Sequence, residues 1–100
     1  MSARVAAAAA LAVVTTGSAA ATDIELGRYL ATECMTCHRA ATAGGAIPNI
    51  FGMAEPTFAE IVKGYRDGKR SNPVMQNIAR RLTDEEIAAL AAYFATAPKP

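Results

Sequence analysis

Cys34-Met35-Thr36-Cys37-His38 gathers both cysteines and the only histidine of a 100-residue chain into five positions. No other feature restricts the fold as much. Two thiols separated by two residues, with an imidazole directly after the second, serve one group at one place, and the remaining chain has to be arranged around it. It has few other means of holding together. Residues 1–21 carry Arg4, an unbroken apolar run from Val5 to Val14, and the small residues Ala19, Ala20 and Ala21, the pattern of a cleaved secretory signal. The apolar run is about ten residues, where a membrane span needs roughly 20, which argues against an anchor. Cleavage leaves one domain, residues 22–100. A domain of roughly 79 residues struggles to bury enough apolar surface without a disulfide, metal or other staple.

Charge excludes one class of partner. Ten Lys and Arg face nine Asp and Glu; without Arg4 the mature chain is formally neutral, so nucleic-acid binding has no support. The distribution is uneven. Lys63, Arg66, Lys69, Arg70, Arg80 and Arg81 fall in one segment whose only acid is Asp67. Such a run reads first as a solvated face and second as a docking surface or a screen for a bound anion.

Three helical patterns follow the signal. The first runs from Thr22 or Asp23 to Glu33, with Asp23 as its cap and Ile24, Leu26, Gly27, Leu30 and Ala31 as its apolar stripe. Gly27 costs about 1 kcal/mol relative to alanine there, which predicts close approach of another backbone. In the second, Thr57 and Glu60 have the spacing of a capping box, Phe58, Ile61, Val62 and Tyr65 recur at helical intervals, and Gly68 closes the element. Thr83 and Glu86 form a second capping box ahead of Ile87, Leu90, Ala91 and Phe94. No stretch alternates long enough for a strand. Residues 39–55 and 68–74, rich in Gly, Pro and Asn, read as loops. The expected class is all-α, three main helices and long loops wrapped around something.

The five-residue motif says what is wrapped. Cys-x-x-Cys-His is the attachment pattern of a c-type haem: each thiol adds across one vinyl group, and the adjoining imidazole reaches the iron. The alternatives fit less well. A redox dithiol expects a βαβ context, a structural zinc site wants four ligands, and a disulfide across three positions closes too small a loop to stabilise much. His38 is thus the expected proximal ligand of one covalent haem. For the sixth iron position the chain offers Met35, Met53, Met75 or nothing. Met35 lies inside the attachment turn, and Met53 reads as core filler. Met75, 37 residues beyond His38 and after Pro73, sits on a loop with the reach to cross the haem, and is favoured.

The order of these parts resembles the class I c-type cytochromes over essentially the whole mature chain. Within that family, the stretches AIPNIFGM and FAEIVKGYRDGKRSNPVMQNIARRLTDEEIAALAAYFA are similar to the haem subunits of flavocytochrome c sulfide dehydrogenase and to Sox-type flavocytochrome subunits. Some of those subunits carry two haem domains and this chain has one motif, so the resemblance implies a single-haem version or a free carrier. It implies a small cytochrome c fold, Cys34 and Cys37 as thioether cysteines, His38 and Met75 as the two axial ligands, and Pro48 as the residue whose carbonyl accepts a hydrogen bond from the proximal histidine. It also puts Gly27 and Tyr93 where the terminal helices cross.

The function expected is single-electron transfer in the periplasm, with no catalysis by the chain itself. The expected partner is an FAD-bearing sulfide dehydrogenase subunit or another redox protein. A haem sensor or catalyst with an open sixth position is the alternative. Ile47, Ile50, Phe51 and Ile78 are the expected pocket lining, and Arg70 or Arg80 the expected partner of the haem propionates, with nothing in the sequence to choose between them.

Overall fold

The computed structural model describes residues 18–39, 45 and 47–98, with side chains from residue 23 onward. Most of the signal pattern, residues 1–17, lies outside the described residues, as does Gly44. The described residues form four helices: α1 (Ser18–His38), α2 (Glu55–Arg66), α3 (Pro73–Ala79) and α4 (Asp84–Thr96). Among the described residues there is no strand. The all-α class expected of a small c-type cytochrome holds, with one short helix beyond the three read from periodicity.

The longest helix crosses the last one at a glycine. A Cβ on Gly27 would lie 2.1 Å from the Ala89 carbonyl oxygen and 2.8 Å from the Tyr93 Cβ. The close backbone approach predicted at Gly27 is therefore present, and it brings α1 directly onto α4. Phe94 stands at the centre of the core with none of its surface exposed. Phe51 meets it edge-on at 5.2 Å, Phe58 of α2 stacks at 5.6 Å, and Tyr93 lies edge-on at 5.2 Å. Ile87, Leu90 and Ala79 complete the buried centre. Phe51 consequently belongs to this aromatic cluster; the expectation that it lines the haem pocket is corrected, because its buried ring sits in the core and contributes nothing to the cavity wall.

Both ends of α4 are closed by identifiable groups. At its start the Thr83 hydroxyl accepts from the Glu86 N–H at 3.1 Å while the Glu86 carboxylate accepts from the Thr83 N–H at 2.9 Å, the capping box read from the sequence. At its end the residue four beyond Phe94 is Pro98, which has no N–H to give. The Gly52 N–H donates to the Phe94 carbonyl instead, at 2.8 Å, and so ties the loop before α2 to the C-terminal turn of α4. Gly52 has φ 80°, a left-handed conformation that glycine tolerates best.

Two expected caps are corrected. Asp23 lies inside α1, which starts at Ser18, because the alanines ahead of it are good helix formers and nothing there ends the helix. Thr57 lies inside α2, which starts at Glu55 with Ala54 as N-cap and no side-chain cap. Pro56 explains the shift: in the first turn its missing N–H has no helical partner to lose and its φ is already helical. Gly68 does follow the end of α2 at φ 81°, as expected.

Candidate haem-binding site

The CMTCH segment is helical throughout, where the sequence reading ended the first helix at Glu33. Cys34, Cys37 and His38 therefore stand at i, i+3 and i+4 on one face of the last turns of α1. That face borders a cavity of about 460 Å³. Pro48 and Ile50 from the loop, Phe58, Ile61, Val62 and Tyr65 from α2, and Met75 and Ile78 from α3 also line it. All five residues named from the sequence, Cys34, Cys37, His38, Pro48 and Met75, come together around this one space.

The imidazole is held in one tautomer. His38 Nδ1 lies 2.9 Å from the Pro48 carbonyl oxygen, and since a carbonyl only accepts, the nitrogen donates. The lone pair then resides on Nε2, the nitrogen left to bind a metal. A proline serves this loop well, because its fixed φ helps to hold the carbonyl in place.

The two thiols are free and differ in setting. Cys37 is exposed, whereas Cys34 is half-buried, and its pKa is pushed up to about 11, chiefly by that burial and next by the negative charge of Glu33. Glu33 is itself paired with Arg81 at 2.8 Å, which fixes the end of α1 to the segment after α3.

Met75 is in a helix, correcting the expectation of a loop. Asn72 caps α3, its side-chain oxygen accepting from the Met75 N–H at 3.0 Å, and Pro73 occupies the first turn. The sequence carried this signal in the Asn-Pro pair, an N-cap followed by a proline at the first helical position. It escapes a search for periodicity because seven residues make barely two turns. Met53 also lines the cavity, but it packs against the buried core as well, in keeping with a filler. Met35 packs on the core and does not reach the cavity wall.

The basic segment is less free than its sequence suggests. Arg66 pairs with Asp84 at 2.7 Å and with Asp67 at 3.2 Å, and it also donates to the Leu82 carbonyl. The Arg66 guanidinium holds the Asp84 carboxyl below its usual range. Of the two arginines offered for the propionates, Arg70 lines the cavity and Arg80 does not.

These contacts fit a haem. The cavity is walled mainly by apolar side chains, one helical face supplies two thiols at attachment spacing, and an oriented imidazole and a thioether are the two donors suited to iron. The fold and the site together define a small all-α haem protein.

Comparison with known proteins agrees. Residues 25–94 match the family model described as cytochrome c oxidase, cbb3-type, subunit III. The chain is 34% identical to cytochrome c-554(548) of Halomonas halodenitrificans, over 80% of this chain and 96% of that protein. It is 40% identical to a thiosulfate dehydrogenase electron acceptor of Stutzerimonas stutzeri, over 70% of this chain but 34% of that protein. It is 30% identical to the cytochrome subunit of sulfide dehydrogenase of Chlorobaculum tepidum, over 73% of this chain and 67% of that protein. The chain thus spans about a third of the length of the thiosulfate dehydrogenase electron acceptors it matches. It belongs to the c-type cytochromes, an electron-carrier family, and membership implies a covalently bound haem c. No helix among the described residues is long and apolar enough to cross a membrane.

Proposed function

We propose that the chain is a periplasmic, single-haem electron carrier whose iron is held by His38 and Met75. Cys34 and Cys37 form the thioether links, and the Pro48 carbonyl orients His38. The observation that carries this reading is the cavity that has the Cys34, Cys37 and His38 face and the Met75 thioether among its lining residues. A bound haem supplies exchange of one electron between ferrous and ferric iron. The chain's part would be to keep the His38 imidazole and the Met75 thioether in place, so that little rearrangement would accompany the exchange. The fixed tautomer of His38 keeps Nε2 available and raises its basicity. The thioether raises the reduction potential relative to a site without it, and the apolar walls keep water from the iron. A secretory signal in residues 1–21 would deliver the chain to the periplasm.

The proposed electron donor is a sulfur-compound dehydrogenase, first of all an FAD-bearing sulfide dehydrogenase subunit. Support comes from the relatives named as a sulfide dehydrogenase subunit and as thiosulfate dehydrogenase electron acceptors. Mixing the oxidised protein with a purified sulfide-oxidising flavoprotein and sulfide should reduce it faster than sulfide alone; equal rates would count against that partner. The ligand assignment is tested separately with carbon monoxide. The reduced wild-type protein should leave it unbound and M75A should bind it readily, whereas ready binding by the wild type would favour an open-iron sensor or catalyst.

A further inference from the structure

We infer that Arg70 is the residue that holds the carboxylate edge of the haem, an inference resting on the haem reading above. Chain geometry commits this side chain to the cavity. Gly68, in its left-handed conformation, turns the chain back after α2, and the N–H groups of Lys69 and Arg70 then both donate to the Gly64 carbonyl, at 2.8 and 3.0 Å. The aliphatic stem of Arg70 lies flat on Gly64, where an added Cβ would stand 3.2 Å from its Cγ and Cδ. Its guanidinium carbon sits over the Tyr65 ring, 5.7 Å from the centroid, a placement that suits a cation and a π face. Backbone ties, a glycine platform and an aromatic shelf thus fix a charged group at the wall of an otherwise largely apolar cavity.

The other arginines of the segment are placed or occupied elsewhere. Arg66 is taken by Asp84 and Asp67, and Arg81 by Glu33; Arg80 is exposed and lies off the cavity wall. No carboxylate is paired with Arg70 among the described ion pairs. A haem brings two carboxylates, and a planar guanidinium is the side chain best matched to a carboxylate, offering two parallel donors. The other titratable groups lining the cavity are Glu33, Cys34, Cys37 and His38 of α1 and Tyr65 of α2. Arg70 is the one arginine in that lining, which holds no lysine.

The consequence is electrostatic. Arg70 keeps its carboxylate partner ionised and cancels its charge, so the iron's potential stays steady as pH changes. Without Arg70 the carboxylate protonates at higher pH, and above that point its negative charge stabilises ferric iron. Reduction potential should therefore be measured against pH for holoprotein of the wild type, R70Q, R70K and R80Q, with covalent haem content determined by a pyridine haemochrome assay. R70Q should match the wild type in acid and fall progressively below it as pH rises, while R70K, which keeps the charge, and R80Q should stay near the wild-type curve. A merely structural loss would displace the potential without creating this pH-dependent divergence. Haem attached normally, with the R70Q curve parallel to the wild type or R80Q showing the divergence instead, would overturn the role of Arg70 alone. A wild-type protein without covalent haem would overturn the haem reading and this inference with it.

Discussion

Gly27 shows how one side chain's absence positions the molecule's two terminal helices. The missing Cβ lets the Ala89 carbonyl come within a distance that no alanine would permit. The contact is with rigid backbone, so relaxation requires α1 to move away from α4. G27A should destabilise the protein by about 3 kcal/mol, the upper part of the range for overpacking a tight site, measurable as a lower denaturant midpoint with an unchanged slope. The position was legible in the sequence because a glycine inside an apolar helical stripe gives up helix stability and gains only room for a neighbour. So was the grouping of Cys34, Cys37 and His38, whose spacing puts them on one face of α1 once the segment is helical. Phe51 was not legible in the same way: an apolar residue near the motif fits pocket and core equally well, and only the position of Phe94 decides between them.

At the scale of elements, α3 and α4 make separate predictions. The cap of α3 holds the backbone N–H of Met75 itself, so N72A should cost about 1 kcal/mol and should also loosen the thioether. That loosening would be read as faster carbon monoxide binding to the reduced protein than in the wild type, yet slower than in M75A. The start of α4 is joined to the end of α2 through Arg66 and Asp84. Since the folded state depresses the Asp84 pKa, the pair's contribution is present above the ordinary aspartate value of about 3.9 and is lost as pH falls through the depressed one. D84N should therefore flatten the decline of stability below about pH 4, measured by denaturant unfolding at a series of pH values, while a decline as steep as the wild type's would show that another carboxylate governs it. The longer helices could be read from periodicity and the Thr83 capping box, but their starts could not be read equally well. Pro56 fits a helix start either before or after itself, and α3 is too short to establish a period, leaving the Asn72-Pro73 pair as its only clear local mark.

For the whole molecule the main physical fact is a small core beside a large apolar-walled cavity. Among the described residues Phe94, Ile87 and Leu90 are the largest fully buried side chains, a modest set for a domain of this size, and Ile50, Ile61 and Ile78 line the cavity. A haem attached at Cys34 and Cys37 would supply the missing apolar partner and would link the end of α1 to the walls formed by α2 and α3. A C34A/C37A double variant, unable to attach haem covalently, should lose its cooperative thermal transition while retaining part of its helical circular dichroism. Retention of a sharp transition in haem-free protein would show that the polypeptide core suffices. The cavity was foreseeable from loops too long for so short a chain, but its walls are made by residues far apart in sequence, and their meeting depends on the crossing at Gly27 and on the Gly52 to Phe94 tie.

Near-infrared absorption of the ferric protein distinguishes a haem iron held by His38 and Met75 from one held by His38 alone or with Met53. Sulfur-to-iron charge transfer should give a band in the wild type and in M53A and none in M75A. A band lost in M53A but kept in M75A, or missing from haem-bearing wild type, would contradict the assignment.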